Sequence, residues 1–257
     1  MLTRILQKIG KQTLNFLQEF GQVVRLLKDI FVSIPQLFKN SRNFIYQMEH
    51  IGVNSMPLVL IIATFTGAVS SWQAAYQLKG VAPLSFLGVT TTRAIITELG
   101  PVLTAIVIAG RVGASIAAEL GSMKVTEQID ALETMGINPV AFLATPRFFA
   151  AIIMMPILII FANTIAVFGA YFISNYFLGV PFATFFDSAK RFFHMSDFGF
   201  GLVKGMIFGG VTALLGCHIG FKTEGGAEGV GLATIRSFVI SSALILIFDY
   251  FLWTLIF

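Results

Sequence analysis

The sequence predicts an all-α integral membrane protein: N-terminal amphipathic interfacial helices, then five membrane-spanning helices, with a short amphipathic helix between spans two and three. Three observations carry that prediction. Only 12% of the 257 residues are charged and 56% are hydrophobic, whereas a soluble domain carries about 25% charged residues. Five apolar stretches reach the roughly 20 residues needed to cross hydrocarbon. The basic residues crowd the first fifty positions (Arg4, Lys8, Lys11, Arg25, Lys28, Lys39, Arg42), interleaved with aliphatic and aromatic residues at helical spacing. That interleaving suits a membrane surface with anionic head groups and argues against nucleic acid.

The chain reads as one domain. In residues 1–50, Leu2, Ile5, Leu6, Ile9, Phe16, Leu17, Phe20, Val23, Val24, Leu27, Ile30 and Phe31 recur with helical period and with charges between them. They predict helices lying in the interface, broken near Pro35. This start has no compact apolar core and no small-residue cleavage site, so no cleavable signal is expected. A five-span bundle fills 56–257. The first span is expected at 56–78, followed by a loop or partly re-entrant segment at 79–92. The second covers 94–118, and a polar stretch follows at 119–145. The third, 147–177, is overlong and contains Pro156, which predicts a tilt or kink. The fourth and fifth cover 198–221 and 232–257. Lys and Arg gather in the N-terminal segment, in 119–147 and in 222–236, which places those segments and the N-terminus in the cytoplasm or its equivalent.

Small residues predict how the helices pack. Gly201, Gly205 and Gly209 line the fourth span, Ala63, Gly67 and Ser71 the first, and Gly110, Gly113 and Ala117 the second. Such stripes let backbones approach closely in lipid. Five helices enclose little by themselves, so a homodimer around a central cavity is expected. One cysteine, Cys217, excludes an intrachain disulfide. His50, His194 and His218 are scattered, and no metal site is expected.

The chemistry lies in ionisable residues within spans. Glu98, Lys204 and Asp249 fall near the outer ends of the second, fourth and fifth helices, at depths within about two turns of each other. Each is costly alone in hydrocarbon, so each should face protein or water and opposite charges should pair. Two readings stay open: an ion pair that holds the bundle, or the polar lining of a substrate cavity. Arg111, deeper in the second helix, is expected to reach toward Glu119 in a structural role.

The polar stretch 124–139 is the most informative segment. Thr126 is a candidate helix cap, Glu127, Asp130 and Glu133 suit a helix start and an exposed face, and Gly136 can end the helix. Ile129, Leu132 and Met135 form a narrow apolar stripe, and Asn138-Pro139 turns the chain back. Such a helix could dock into a soluble motor or simply be solvated. Glycine-rich 225–231 reads as a flexible inner loop. No G-x-x-x-x-G-K-[ST] phosphate loop, G-x-S-x-G elbow or H-E-x-x-H helix occurs, so this chain is not expected to be an enzyme. An ion-coupled secondary transporter of a small amphipathic solute would also place charges in spans, but it usually shows internal repeats, and none is found.

The run from Glu98 through Gly110-Arg111-Val112-Gly113, Glu119-Leu120-Gly121 and Lys124-Val125-Thr126-Glu127-Gln128-Ile129-Asp130 to Asn138-Pro139 resembles the signature of the MlaE/YrbE permease family. The likeness extends to Pro146-Arg147-Phe148, Val203-Lys204 and Glu224-Gly225 and covers nearly the whole chain. The resemblance implies the homodimeric membrane subunit of an ABC transporter that moves phospholipid or a similar lipid between membranes. It implies a cytoplasmic ABC ATPase, holding ATP and Mg, docked on 124–139 as a coupling helix. It also implies an MCE-domain lipid-binding protein on the opposite face, with room for a small cytoplasmic accessory subunit. The implied home is a cell inner membrane or a plastid inner envelope. The family often carries arginine immediately before the glutamate; this chain has Thr97, so the charge balance around Glu98 differs.

Overall fold

The computed structural model describes residues 2–256. The chain is 90% helical, with no strand among the described residues. Five helical runs are long and apolar enough to cross a membrane: Ser41–Leu78, Leu84–Val125, Val140–Leu178, Met195–Phe221 and Gly226–Leu255. The end of the bundle that the basic stretches assign to the cytoplasm is the inner end.

The N-terminal helix α1 (Leu2–Val32) is amphipathic and stops at Ser33, whose hydroxyl donates to Asp29 O at 2.7 Å. Pro35 then sits in the first turn of α2 (Ile34–Lys39), where its missing N–H costs nothing. The break expected near Pro35 is therefore present. Leu14, Leu17, Phe20 and Val24 form an exposed apolar stripe on α1, whereas Leu26 and Ile30 are buried. Phe31 meets Phe148 and Phe149 edge-on at 6.0 and 5.9 Å, tying the end of α1 to the bundle.

Three boundaries differ from the sequence reading. Helix α3 (Ser41–Ile51), expected among the interfacial helices, leads through one 3₁₀ turn (Val53–Ser55) directly into α4 (Met56–Leu78). Gly52 makes that possible, because any Cβ there would lie 1.9 Å from Met154 Cε. Residues 87–92, expected within a loop or partly re-entrant segment, belong to the second long run, in which α5 (Leu87–Ala94), α6 (Gly100–Ile108) and α7 (Ala114–Val125) are joined by π-helical turns at Ile95–Leu99 and Ala109–Gly113.

After the short inner helix α8 (Gln128–Thr134), a π-helical turn (Val140–Ala144) opens α9 (Thr145–Leu178). Helix α9 runs unbroken through Pro156 and forms the centre of the bundle, packed by α4 on one side and by α11 (Met195–Phe221) on another. Helix α11 also packs on α7 and on α12 (Gly226–Ile256). Glycine-rich 226–231, expected as a flexible loop, forms the first turns of α12, so the connecting loop is shorter.

The small-residue stripes lie in these seams. A Cβ at Gly67 would be 1.8 Å from Ala166 O, and one at Gly209 would be 2.6 Å from Ala151 O. Only glycine permits such backbone contact. Ser71 and Ser174 share a hydrogen bond of 2.8 Å across the α4–α9 seam. The second-helix stripe is used at Gly113, beside Thr212 and Ser237 of α11 and α12, while Gly110 is exposed.

Helix α10 (Phe182–Arg191) was not anticipated. Phe182, Phe185, Phe186 and Ala189 stand at i, i+3, i+4 and i+7, the spacing of an amphipathic face. Phe185 is fully buried, and Tyr171 meets the rings of Phe182, Phe185 and Phe186 at 5.3, 5.8 and 5.4 Å. The helix lies across α5, where a Cβ at Gly88 would be 2.0 Å from Phe185 O.

Candidate functional site

Lys204 is the hub of the outer half of the bundle. Its Nζ lies 2.8 Å from Glu98 Oε1 and 2.8 Å from Asp249 Oδ1, joining the second, fourth and fifth spans. The sequence reading of a shared depth and of opposite charges pairing therefore holds for all three residues. The lysine side chain is 3% exposed, Asp249 19% and Glu98 32%, so Glu98 is the member most open to a visitor. Two carboxylates face one amine, so the group holds one carboxylate beyond a simple ion pair.

The local backbone explains why the lysine points here. Pro101 has no N–H, so the helix offers no i+4 donor to the carbonyl of Thr97. Lys204 Nζ donates to that oxygen at 3.3 Å. Trp253 lies on the other side, its ring centroid 5.3 Å from Nζ, in cation–π range. Gly201 and Gly205 flank the lysine on α11 and let its helix close onto the second and third spans, since a Cβ at either would meet Ile96 O or Ile159. Thr97, which stands where the resembled family often has arginine, donates its hydroxyl to Arg93 O at 2.9 Å.

At the inner end, Glu119 and Arg147 form a second ion pair at 3.0 Å that ties the two ends of the polar stretch together. Arg147 is buried, and its Nη1 donates to Leu143 O at 2.9 Å. Ser115 donates to the other carboxylate oxygen at 3.1 Å. This corrects the expected reach of Arg111 toward Glu119. Arg111 lies in a π-helical turn facing the start of α4, where its Nη1 donates to Ser55 Oγ. Eight residues separate it from Glu119, about 12 Å along a helix, and Arg147 is the nearer cation.

The polar stretch folds in two parts. Thr126 does not cap α8; it ends α7, donating its hydroxyl to Ser122 O at 2.8 Å. Glu127 precedes α8 with φ 60°, a left-handed backbone rare for a non-glycine residue, and its carbonyl accepts Ala131 N–H at 2.9 Å. Gly136, with φ 74°, ends α8 as expected, and Asn138 Oδ1 accepts Val140 N–H at 2.9 Å to start the next turn. Glu127, Asp130 and Glu133 are exposed, and Asp130 holds Lys124 at 2.7 Å. The apolar stripe divides: Ile129 is buried in this chain's own core, Leu132 is half-buried and Met135 is 64% exposed. The exposed apolar surface just after α8 is therefore Met135 with Ile137, near the acidic residues.

Sequence reasoning missed Arg147, the carbonyl of Thr97 and Trp253 as parts of these groups. A lone arginine at the mouth of a span reads as a topology signal, and a free carbonyl is visible only through the proline four residues later. Among the described residues no group of three or more His, Cys, Asp or Glu could hold a metal ion.

The family described as Permease MlaE matches residues 44–255 of the chain. A probable ABC transporter permease protein of Rickettsia typhi is 37% identical over 100% of this chain and 99% of its own length. Another, of Synechocystis sp., is 38% identical over 90% of this chain and 88% of its own. A third, of Pyropia yezoensis, is 32% identical over 93% of this chain and 90% of its own.

Proposed function

The chain belongs to the MlaE permease family, and on that premise we propose that it is the lipid-handling membrane subunit of an ABC transporter. It is a multi-pass ABC transporter permease. The proposed cargo is phospholipid or a related lipid, moved between membranes and received beside the Glu98–Lys204–Asp249 group. The observation that carries this reading is the buried amine held by two carboxylates in the outer half of the bundle. Charges so placed in a span mark a substrate path more often than a purely structural need. The partly exposed Glu98 gives that path a polar wall.

ATP and Mg belong, in this reading, to a separate cytoplasmic ATPase that docks on α8 around Met135, Ile137 and the exposed carboxylates. Two copies of the chain enclose the lipid cavity. An MCE-domain protein receives or delivers lipid at the outer face, and a small accessory subunit completes the inner side. The membrane is a cell inner membrane or a plastid inner envelope.

Replacing Glu98 and Lys204 alone would leave Asp249 without its cation, so the cleaner test is the triple variant Glu98→Gln, Lys204→Met, Asp249→Asn. Assembled with its ATPase in vesicles, it is expected to elute normally yet fail to move lipid. Lipid transport at the wild-type rate by a well-assembled triple variant would leave the group a structural role only.

A further inference from the structure

A second cleft opens at the outer face, away from the triad, between α5, the end of α10 and the start of α11. Val89, Ile96 and Ala189 line its apolar wall, with Phe192 and Phe193 at its edge, and it is a shallow, open cleft. Arg93 and Asp197 also line it and pair through Arg93 Nε at 3.2 Å. The aspartate side chain is 9% exposed and the arginine 54%. The buried carboxylate thus fixes the guanidinium by one edge and leaves the group facing out.

Two further observations set this apart from an ordinary ion pair. Thr92, nine-tenths buried in the wall of the same cleft, has a hydroxyl with no hydrogen-bond partner, and such a group usually has one. His194 lines the cleft, and the exposed Lys190 and Arg191 follow the lining residue Ala189 in the chain at the end of α10. A half-exposed guanidinium held by a buried carboxylate above an apolar wall, with an unpartnered threonine hydroxyl in that wall, suits a phosphate ester carrying an apolar tail.

We propose that this cleft binds the phosphate group of an anionic membrane lipid at the outer mouth of the permease. Arg93 precedes Glu98 by five residues, about 7.5 Å along the helix. A head group held there sits roughly one and a half turns outside the triad, at the entrance or exit of the path. The proposal rests on the lipid reading above only for the source of the phosphate.

The test is retention of defined ligands by the full-length chain in detergent, followed by native mass spectrometry. The probes are phosphatidylglycerol, diacylglycerol with the same acyl chains, and inorganic phosphate as competitor. The wild type is expected to retain phosphatidylglycerol over diacylglycerol. The double variant Arg93→Gln, Asp197→Asn removes both charges together, leaves no buried carboxylate unpaired, and should weaken that retention by about ten-fold, the scale of a charge-assisted hydrogen-bonded contact. Arg93→Lys, which keeps the charge and loses the fork, should fall between, and it serves as the readout if the double variant does not fold. Lys79→Gln, an exposed outer cation outside the cleft, should retain lipid as the wild type does. Displacement by millimolar phosphate would assign recognition to the phosphate alone, and persistence would assign it to the whole head group; either supports the site. Equal retention of the two lipids, unchanged retention in both Arg93 variants, or an equal loss in Lys79→Gln would overturn it. If the assembled transporter moves no lipid while retention still depends on Arg93, the transport reading fails and the site stands. Lipid transport alongside unchanged retention in the Arg93 variants would remove the site and leave the transport reading intact.

Discussion

Lys204 has its amine within 2.8 Å of two carboxylates that have few other partners, so its loss is felt twice. Lys204→Met alone leaves Glu98 and Asp249 as neighbouring carboxylates without a cation, and breaking a buried ion pair from one side costs about 3–5 kcal/mol. That should appear as a lower melting temperature in detergent. The triple variant, which removes all three charges, should recover most of the loss; a triple variant no more stable than Lys204→Met would contradict the arrangement. The three residues were legible in the sequence because a charge inside an apolar span is conspicuous and chain direction fixes its depth. Their shared centre was not, because two helices bring carboxylates to a third and sequence gives depth but no azimuth. Arg111 illustrates the same limit. Its depth suggested Glu119, but its azimuth on the π-helical turn points it at Ser55.

Element boundaries failed where a glycine or a π-helical turn let a helix continue. Gly52 carries α3 into α4 against Met154, and α5 runs through Ile95–Leu99 into α6. Apolar windows register the hydrocarbon core and not the polar ends of helices that extend beyond it. Helix α10 was legible in principle, since four residues at i, i+3, i+4 and i+7 mark its apolar face, of which Phe185 and Ala189 are buried, but ten residues are short beside a span. Helix α8 was found, and only the facing of its stripe was unreadable. That facing decides which substitution tests docking. Met135→Asp places a charge on exposed surface and should reduce co-purification of the ATPase while leaving the permease's melting temperature within about 1 °C, as surface changes usually do. Ile129→Asp buries a charge in the chain's own core and should instead destabilise the permease itself. Undiminished ATPase recovery with Met135→Asp would remove α8 from the docking surface.

At the scale of the whole molecule, the class of fold and the number of spans follow from composition and length, because lipid admits few solutions to unsatisfied backbone groups. The seams follow from small-residue stripes, since the close approach of α4 and α9 at Gly67 needs a residue without Cβ. Sidedness rests on charge and is open to a direct check. Asn15 and Gln18 lie on the exposed part of α1. Single cysteines at these positions, in a variant lacking Cys217, should react with an impermeant maleimide from the cytoplasmic side only. Labelling of either from the outer side would mean that α1 crosses the membrane.

Pro101 gives the molecule a dependence between distant positions. Its missing N–H leaves Thr97 O to be met by Lys204, 107 residues away in the chain. The proline and the lysine therefore form a candidate epistatic pair: an amide donor restored at 101 would add a backbone donor to the turn that carries Thr97 O, beside the lysine's carboxylates and Trp253. The effect of changing one position depends on what occupies the other, so the two substitutions are not additive.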